Sequence, residues 1–175
     1  MAAAKPPRVS QPERFMGSTE SSGVERVSEA LAGMGYGYGP VALPNSAGTS
    51  AQAAEALGCD VAQIAKSLVF RGRDTGRAVL VVASGANRVD EKRLGRAIGE
   101  KVRKPDADFV RETTGFSIGG VPPVGHSRPL ETIIDEDLLQ YEVVWAAAGN
   151  PKAVFSLDSR DLAEMTGGRV ARIKQ

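Results

Sequence analysis

Apolar positions first fall into a helical rhythm at Val24, Val27, Leu31 and Met34. Steps of about three and four residues put side chains on one helix face. A helix is therefore expected from Ser22, with Gly35 as its C-terminal cap. Tyr36, Tyr38, Val41 and Leu43 suggest a strand or extended arm. Thr49 or Ser50 caps a second helix, AQAAEALG, which Gly58 closes, and Asp60 caps one further turn, VAQIA. Two apolar runs follow, Ser67–Phe70 and Ala78–Ala83, with RGRDTGR between them. Asp74-Thr75-Gly76 is a turn signal, so this stretch predicts a β-hairpin.

Asp90 caps a short amphipathic helix, EKRLGRAIG, with Leu94 and Ile98 on one face. Pro105 breaks the chain, Asp106 caps ADFVRETT, and Gly115 ends that helix. A Gly/Pro-rich loop runs from Gly115 to Pro129. Thr132–Ile134 and Tyr141–Ala148 predict strands around a small helix, DEDLLQ. Gly149-Asn150-Pro151 is a turn into a strand at Ala153–Leu157. Ser159 caps DLAEMTG, and Arg169–Ile173 closes as a strand. Hairpins mix with single helices in no regular alternation. That predicts one α+β domain with a mixed, strongly curved sheet and short peripheral helices, rather than a doubly wound parallel sheet.

Composition narrows the class. A chain of 175 residues with 42% apolar positions suits a single packed domain. Residues 1–22, with Pro6, Pro7, Pro12 and then GSTESSG, read as a flexible tail, which leaves 23–175 as the domain. No apolar run approaches the ~20 residues of a membrane helix, and MAAAKPPRVSQPERFMG has no apolar core of a secretory signal. Cys59 is the only cysteine and His126 the only histidine, which excludes an intrachain disulfide and multi-histidine zinc sites. The expectation is a cytoplasmic protein without a structural metal.

Net charge is +1, but it is unevenly spread. Lys66–Lys104 holds 11 basic against 4 acidic residues, and Glu131–Glu164 holds 2 against 8. A basic face for a phosphate-bearing partner is one reading, and charges scattered over a solvated surface is the other.

Familiar catalytic sets are absent: no nucleophile elbow, no P-loop, and no glycine fingerprint opening a helix after a strand. Two features remain. Alternation in QIAKSLVF puts Lys66, Leu68 and Phe70 on one strand face and Ser67 and Val69 on the other. A lysine there either reaches water at the strand edge or points into a cleft, since an unpaired buried charge is costly. The loop GFSIGGVPPVG, residues 115–125, is rigid and glycine-rich. Gly119-Gly120 either lets a ligand approach the backbone, where consecutive amides can hold an anion, or forms a structural turn.

AKSLVF, RVDEKRLG, TGFSIGGVPPVG and VVWAAAGNPKAVF together resemble the YbaK/EbsC family, whose superfamily includes the insertion domain of bacterial prolyl-tRNA synthetases. The likeness runs from about Val24 to Ile173. It implies a curved, barrel-like α+β fold and a free-standing aminoacyl-tRNA deacylase, acting most often on tRNA(Pro) with a wrong amino acid such as Cys or Ala. It implies Lys66 as the catalytic lysine beside the terminal adenosine and the scissile ester. Ser67, Gly115, Gly119, Gly120, Gly149 and Asn150 join the substrate-binding set. The synthetase insertion domains carry a histidine in the later turn, which this chain lacks. His126 does not take over that role: it reads either as a loop or surface histidine or as a residue at the pocket mouth that joins the substrate-binding set and tunes substrate choice slightly.

The resemblance implies no metal or cofactor. Its partners are the acceptor end of a mischarged tRNA and prolyl-tRNA synthetase. An activated ester needs a placed water and charge stabilisation, and the ribose hydroxyl of the substrate can carry the proton. Two rivals stand beside this reading. A non-catalytic nucleic-acid or nucleotide-binding module would need aromatic stacking residues on the basic run, where only Phe70 occurs. A deacylase of a small non-tRNA ester would keep Lys66 and the loop but show no dependence on RNA.

Overall fold

The computed structural model describes residues 19–175, in five α-helices and eight strands. Helix α1 (Thr19–Gly33) opens inside the segment read as a tail, and residues 1–18 of that segment lie outside the described residues. Val24, Val27 and Leu31 are buried as their spacing predicts, each stabilising by roughly 1.5–3 kcal/mol. Met34 is not part of that stripe, because the helix has already ended and its side chain is exposed. Gly35 sits at φ 85°, with Tyr36 N–H donating to the Leu31 carbonyl and Gly35 N–H to that of Ala32. This pair of bonds closes the helix as a left-handed glycine cap.

The arm after α1 forms only a two-residue strand, β1 (Val41–Ala42). Thr49 and Gln52 make a reciprocal capping box on α2 (Ser50–Leu57). The turn after Asp60 is a 3-10 turn, Val61–Gln63, because Ile64 already belongs to β2 (Ile64–Gly72). Strand β2 pairs antiparallel with β3 (Ala78–Ser84) as the predicted hairpin. Asp90 and Asp106 accept backbone N–H bonds at the starts of α3 (Glu91–Ile98) and α4 (Ala107–Thr114). A short strand not foreseen in the sequence, β4 (Val102–Arg103), lies between those helices.

Beyond the glycine loop come β5 (Glu131–Asp135), a 3-10 helix at Glu136–Gln140, β6 (Val143–Asn150) and β7 (Ala153–Asp158). Gly149 and Asn150 therefore end a strand, and the turn falls on Pro151 and Lys152. Helix α5 (Asp161–Thr166) is not capped by the Ser159 side chain, whose hydroxyl donates to the Tyr141 carbonyl. Strand β8 (Arg169–Ala171) closes the chain order.

All eight strands form one mixed sheet, in the order β1-β7-β6-β2-β3-β5-β8, with β4 on the far end of β2. The mixed α+β fold is as expected, and the sheet is open: its end strands β1 and β8 each have a single neighbour. One face carries the main core, where α1 and α4 pack on Ala65, Val69, Leu80, Val82, Ala146 and Phe155. The other carries Phe70, Val79 and Val81 under Leu94 and Ile98 of α3. A third cluster joins α2 to Ile64, Val154 and Trp145. Strand β2 serves all three clusters and so lies at the centre of the molecule.

Candidate active site

The free edge of β2 opens into a cavity of about 780 Å³. Its floor is β2 from Ile64 to Phe70. Its far wall is the tip of the glycine loop, Ile118, Gly119 and Val121, together with Pro151. Thr49, Ser50, Trp145, Arg88, Glu91, Lys104 and Pro105 complete the lining.

Lys66 stands in this cavity, partly buried, so the structure decides between the two readings of the lysine in favour of the cleft. Leu68 and Phe70, on its strand face, pack with the α3 cluster, while Ala65 and Val69 belong to the opposite core. Burial pushes the Lys66 ammonium below the ordinary lysine range. The nearby Arg88 cation pushes it the same way, and Asp135 opposes them.

Asp135 is fully buried and anchors the neighbouring loop. One carboxylate oxygen accepts from Ser84 N–H at 3.1 Å and from Asn87 Nδ2 at 2.9 Å. Asn87 also donates to Asp137, which takes a second donor, Lys174 Nζ, at 2.8 Å. Arg88 follows Asn87 directly, and its carbonyl accepts from Gln175 N–H at 3.0 Å. The segment is thus pinned on both sides. The Arg88 side chain makes no ion pair among the described residues.

Of the residues expected at the site, Lys66, Ser67 and Gly119 line the cavity. Gly115, Gly120, Gly149, Asn150 and His126 do not. Gly120 is close-packed, but against protein: a Cβ there would lie 3.0 Å from Pro151 Cδ and 3.1 Å from Asn150 Cα. Gly149, at φ 94°, crosses α1 at Gly23, where an added Cβ would meet the Gly23 carbonyl at 2.5 Å. The Gly115 carbonyl accepts from Arg26 of α1, whose guanidinium also lies 4.2 Å from the Phe116 ring centre. The Asn150 side chain accepts from Lys152 N–H within its own turn.

His126 is a clasp of the loop rather than a group at the pocket mouth. Its Nε2 bonds the Pro122 carbonyl at 2.7 Å, and since a carbonyl only accepts, Nε2 carries the proton. Its ring meets Phe116 edge-on, and burial lowers its pKa. Cys59 packs in the α2 cluster outside the cavity, and burial raises its thiol pKa, which makes it a poor nucleophile.

Arg88, Lys104, Ile118 and Trp145 are cavity residues that the sequence reading did not select. Ile118 is 60% exposed, an unusual position for a large apolar side chain. Trp145 had a usable signal, since alternation in VVWAAAGN sets it and Ala147 on the face opposite buried Val144 and Ala146. A second groove, between α3 and β4, adjoins the first through Glu91 and Lys104. Arg73, Lys92, Arg96, Lys101, Arg103 and Lys104 of the basic run line it, together with Glu91 and Glu100. Among the described residues there is no cluster of His, Cys, Asp or Glu suited to a metal ion, and no helix long and apolar enough to cross a membrane.

The open mixed sheet thus carries a lysine in a cleft that adjoins a groove lined by six cations and two carboxylates. The profile of the aminoacyl-tRNA editing domain matches residues 44–165. YwhH of Bacillus subtilis, which has no assigned activity, is 35% identical over 125 residues, covering 71% of this chain and 79% of that protein. EbsC of Enterococcus faecalis, provisionally named a Cys-tRNA(Pro)/Cys-tRNA(Cys) deacylase, is 34% identical over 122 residues, covering 65% and 74%. A crystal structure provisionally described as a trans-editing enzyme for prolyl-tRNA synthetase superposes with a TM-score of 0.84 at 45% identity, covering 91% of this chain and 99% of the other. The chain belongs to the aminoacyl-tRNA editing domain family, in agreement with the YbaK/EbsC resemblance.

Proposed function

We propose that this protein is a free-standing deacylase that hydrolyses the ester of a mischarged tRNA. Its substrate is tRNA(Pro) carrying a small wrong amino acid, Cys or Ala, and its site of action is the cytoplasm. The observation that carries this reading is Lys66, held partly buried in a cavity that continues into a basic groove. The named relatives support the substrate class. About 780 Å³ is in the range of small-ligand pockets and suits a terminal nucleoside together with a small acyl group. Trp145 offers a ring for the base, a contact worth ~1–3 kcal/mol in single-strand recognition. The groove cations suit acceptor-end phosphates.

In the reaction, water adds to the acyl carbon, the carbon–oxygen bond to the ribose breaks, and the ribose oxygen leaves with a proton. Lys66 either stabilises the negative charge that develops on the carbonyl oxygen or holds the adjoining phosphate in place. The ribose hydroxyl of the substrate relays the proton, and no protein nucleophile is required. Size selection falls to the wall of the cavity at Ile118 and Val121, where one methylene is worth only ~1–3 kcal/mol.

The test is a deacylation panel of Cys-, Ala- and Pro-tRNA(Pro), with and without prolyl-tRNA synthetase, run with wild type and Lys66→Ala. Hydrolysis of the mischarged species alone, lost in the variant, is the expected result. Hydrolysis of a small aminoacyl ester but of no tRNA would move the activity to the small-substrate rival. Binding should weaken with salt, by a log–log slope of about −0.7 for each phosphate neutralised on a single strand.

A further inference from the structure

Strand β2 has a gap in one of its edges, and the gap faces the cavity. Gly72 N–H donates to the Arg77 carbonyl, and Gly85 N–H to that of Ile64. In an antiparallel ladder the bonded pairs alternate. In the β2–β3 register, even-numbered β2 residues therefore exchange bonds with β3. The odd-numbered residues, Ala65, Ser67, Val69 and Arg71, turn both N–H and C=O to the other edge.

On that edge Ala65 is taken by Ala146 of β6, and Arg71 by Arg103 of β4. Ser67 and Val69, between them, have no main-chain partner among the described residues. The cause is local at both ends. Continuing the β4 register would bring residue 105 opposite Val69, but Pro105 has no N–H to donate, and the chain turns off into α4. Strand β6 leaves the register after Ala146, and its pairing with β7 is irregular between Ala147 and Asn150. Ser67 Oγ, shielded from solvent, also makes no hydrogen bond among the described residues. Unpaired backbone polar groups are costly unless something bonds them.

We infer that this gap is the receptor for the aminoacyl group, which pairs with Ser67 as a strand of one residue. An aminoacyl ester carries an ammonium and a carbonyl on one carbon, with the spacing of a residue's own N–H and C=O. Lying antiparallel to β2, its ammonium donates to the Ser67 carbonyl and its ester carbonyl accepts from Ser67 N–H. The acyl carbon is then held one residue from Lys66, and the Ser67 amide stands where charge develops as water adds. The contact reads only what every amino acid shares, so it fixes position and leaves side-chain choice to the opposite wall. The inference rests on the deacylase reading and goes beyond it by naming the groups that hold the acyl part.

Ser67→Pro deletes this N–H without removing a sheet bond. Ser67→Ala keeps the N–H and deletes only the hydroxyl. Ser67→Pro should lose ~100–1,000-fold in kcat, the scale of one lost oxyanion donor, and Ser67→Ala less than tenfold. Titration of the 15N-labelled protein with L-alaninamide should shift the Ser67 amide resonance. If Ser67→Pro does not fold, replacement of residue 67 by the α-hydroxy analogue of serine makes the same deletion with the side chain kept. Equal activity of Ser67→Ala and a folded variant lacking the N–H overturns the inference and leaves the deacylase standing. A wild type that hydrolyses no aminoacyl-tRNA removes both.

Discussion

The two walls of the cavity are built from opposite materials. The β2 wall presents Lys66, the Ser67 hydroxyl and the main-chain groups of Ser67 and Val69, unpaired among the described residues. The loop wall, richer in glycine, presents mainly Ile118, Gly119 and Val121. Both walls drew attention in the sequence for the same reason, a residue type out of its usual context. In the strand the unusual residue, Lys66, faces the ligand space, and of the loop glycines Gly119 alone does so. Gly115, Gly120 and Gly125 are used behind the wall, where they let its backbone dock on α1 and on the Asn150-Pro151 turn. The proposed chemistry thus falls to the strand and the proposed size selection to the loop.

Lys66→Ala should separate the walls most sharply. We expect at least ~100-fold loss of kcat/KM, the scale of a lost charge stabiliser, with the melting temperature held. Lys66→Arg should fail as well, since a planar guanidinium does not replace a compact ammonium. Wild-type rates in Lys66→Ala would make the β2 wall structural and erase the contrast.

Gly120→Val should show the converse. The added side chain meets Pro151 and the Asn150 backbone, so a cost of ~1–3 kcal/mol in stability is expected. Activity per folded molecule should change much less. From the sequence alone the opposite balance is expected, with the ligand as the close neighbour. Thermal melts beside single-turnover rates decide it, and a folded but inactive variant would return Gly120 to the site. His126→Ala should behave alike and more mildly, losing the Pro122 bond and the Phe116 contact while keeping activity within about tenfold. A loss beyond ~100-fold would be the scale of an acid–base role.

Arg88→Ala sharpens the chemistry of the β2 wall through pH. Lys66 is already lowered by burial and by Arg88, so its ammonium is lost at lower pH than in an ordinary lysine. Removing the repelling cation stabilises the ammonium, and the alkaline limb of the pH–rate profile should move upward. A downward move would mean that Lys66 works unprotonated or that Arg88 does not face it. The smallest effect is expected from Cys59→Ser, which lies outside both walls and should keep most of the activity, while an aminoacyl group trapped on Cys59 would refute that.

Much of the fold was legible along the chain because its signals are short-range. Thr49, Asp90 and Asp106 cap their helices from side chains within three residues, and Gly35, Gly58, Gly99 and Gly115 end them in left-handed backbone. The hairpin of β2 and β3 is carried by a turn between two apolar runs. The alternation that put Lys66 across from Ser67 is a property of any strand. Local rules also misled where a neighbour distant in sequence intervened. Ser159 has the right residue type for a cap, but the Tyr141 carbonyl, which β-strand packing brings alongside, takes its hydroxyl.

What the sequence by itself determined is most of the elements, most of their caps, the family and the place of Lys66 on a strand, since each rests on a few adjacent residues. The tertiary structure alone decided which side chains share the cavity. Arg88 shares the cavity with Lys66, on a segment where Asn87 is held by Asp135 and Asp137, residues some fifty positions away. Trp145 closes the pocket because β6 runs parallel to β2 at Ile64. Pro105 was visible as a chain breaker, but its effect on Val69 exists only once β4 lies beside β2. Register between distant strands sets which backbone groups are paired and which are left to a ligand, and no pattern along one segment encodes it.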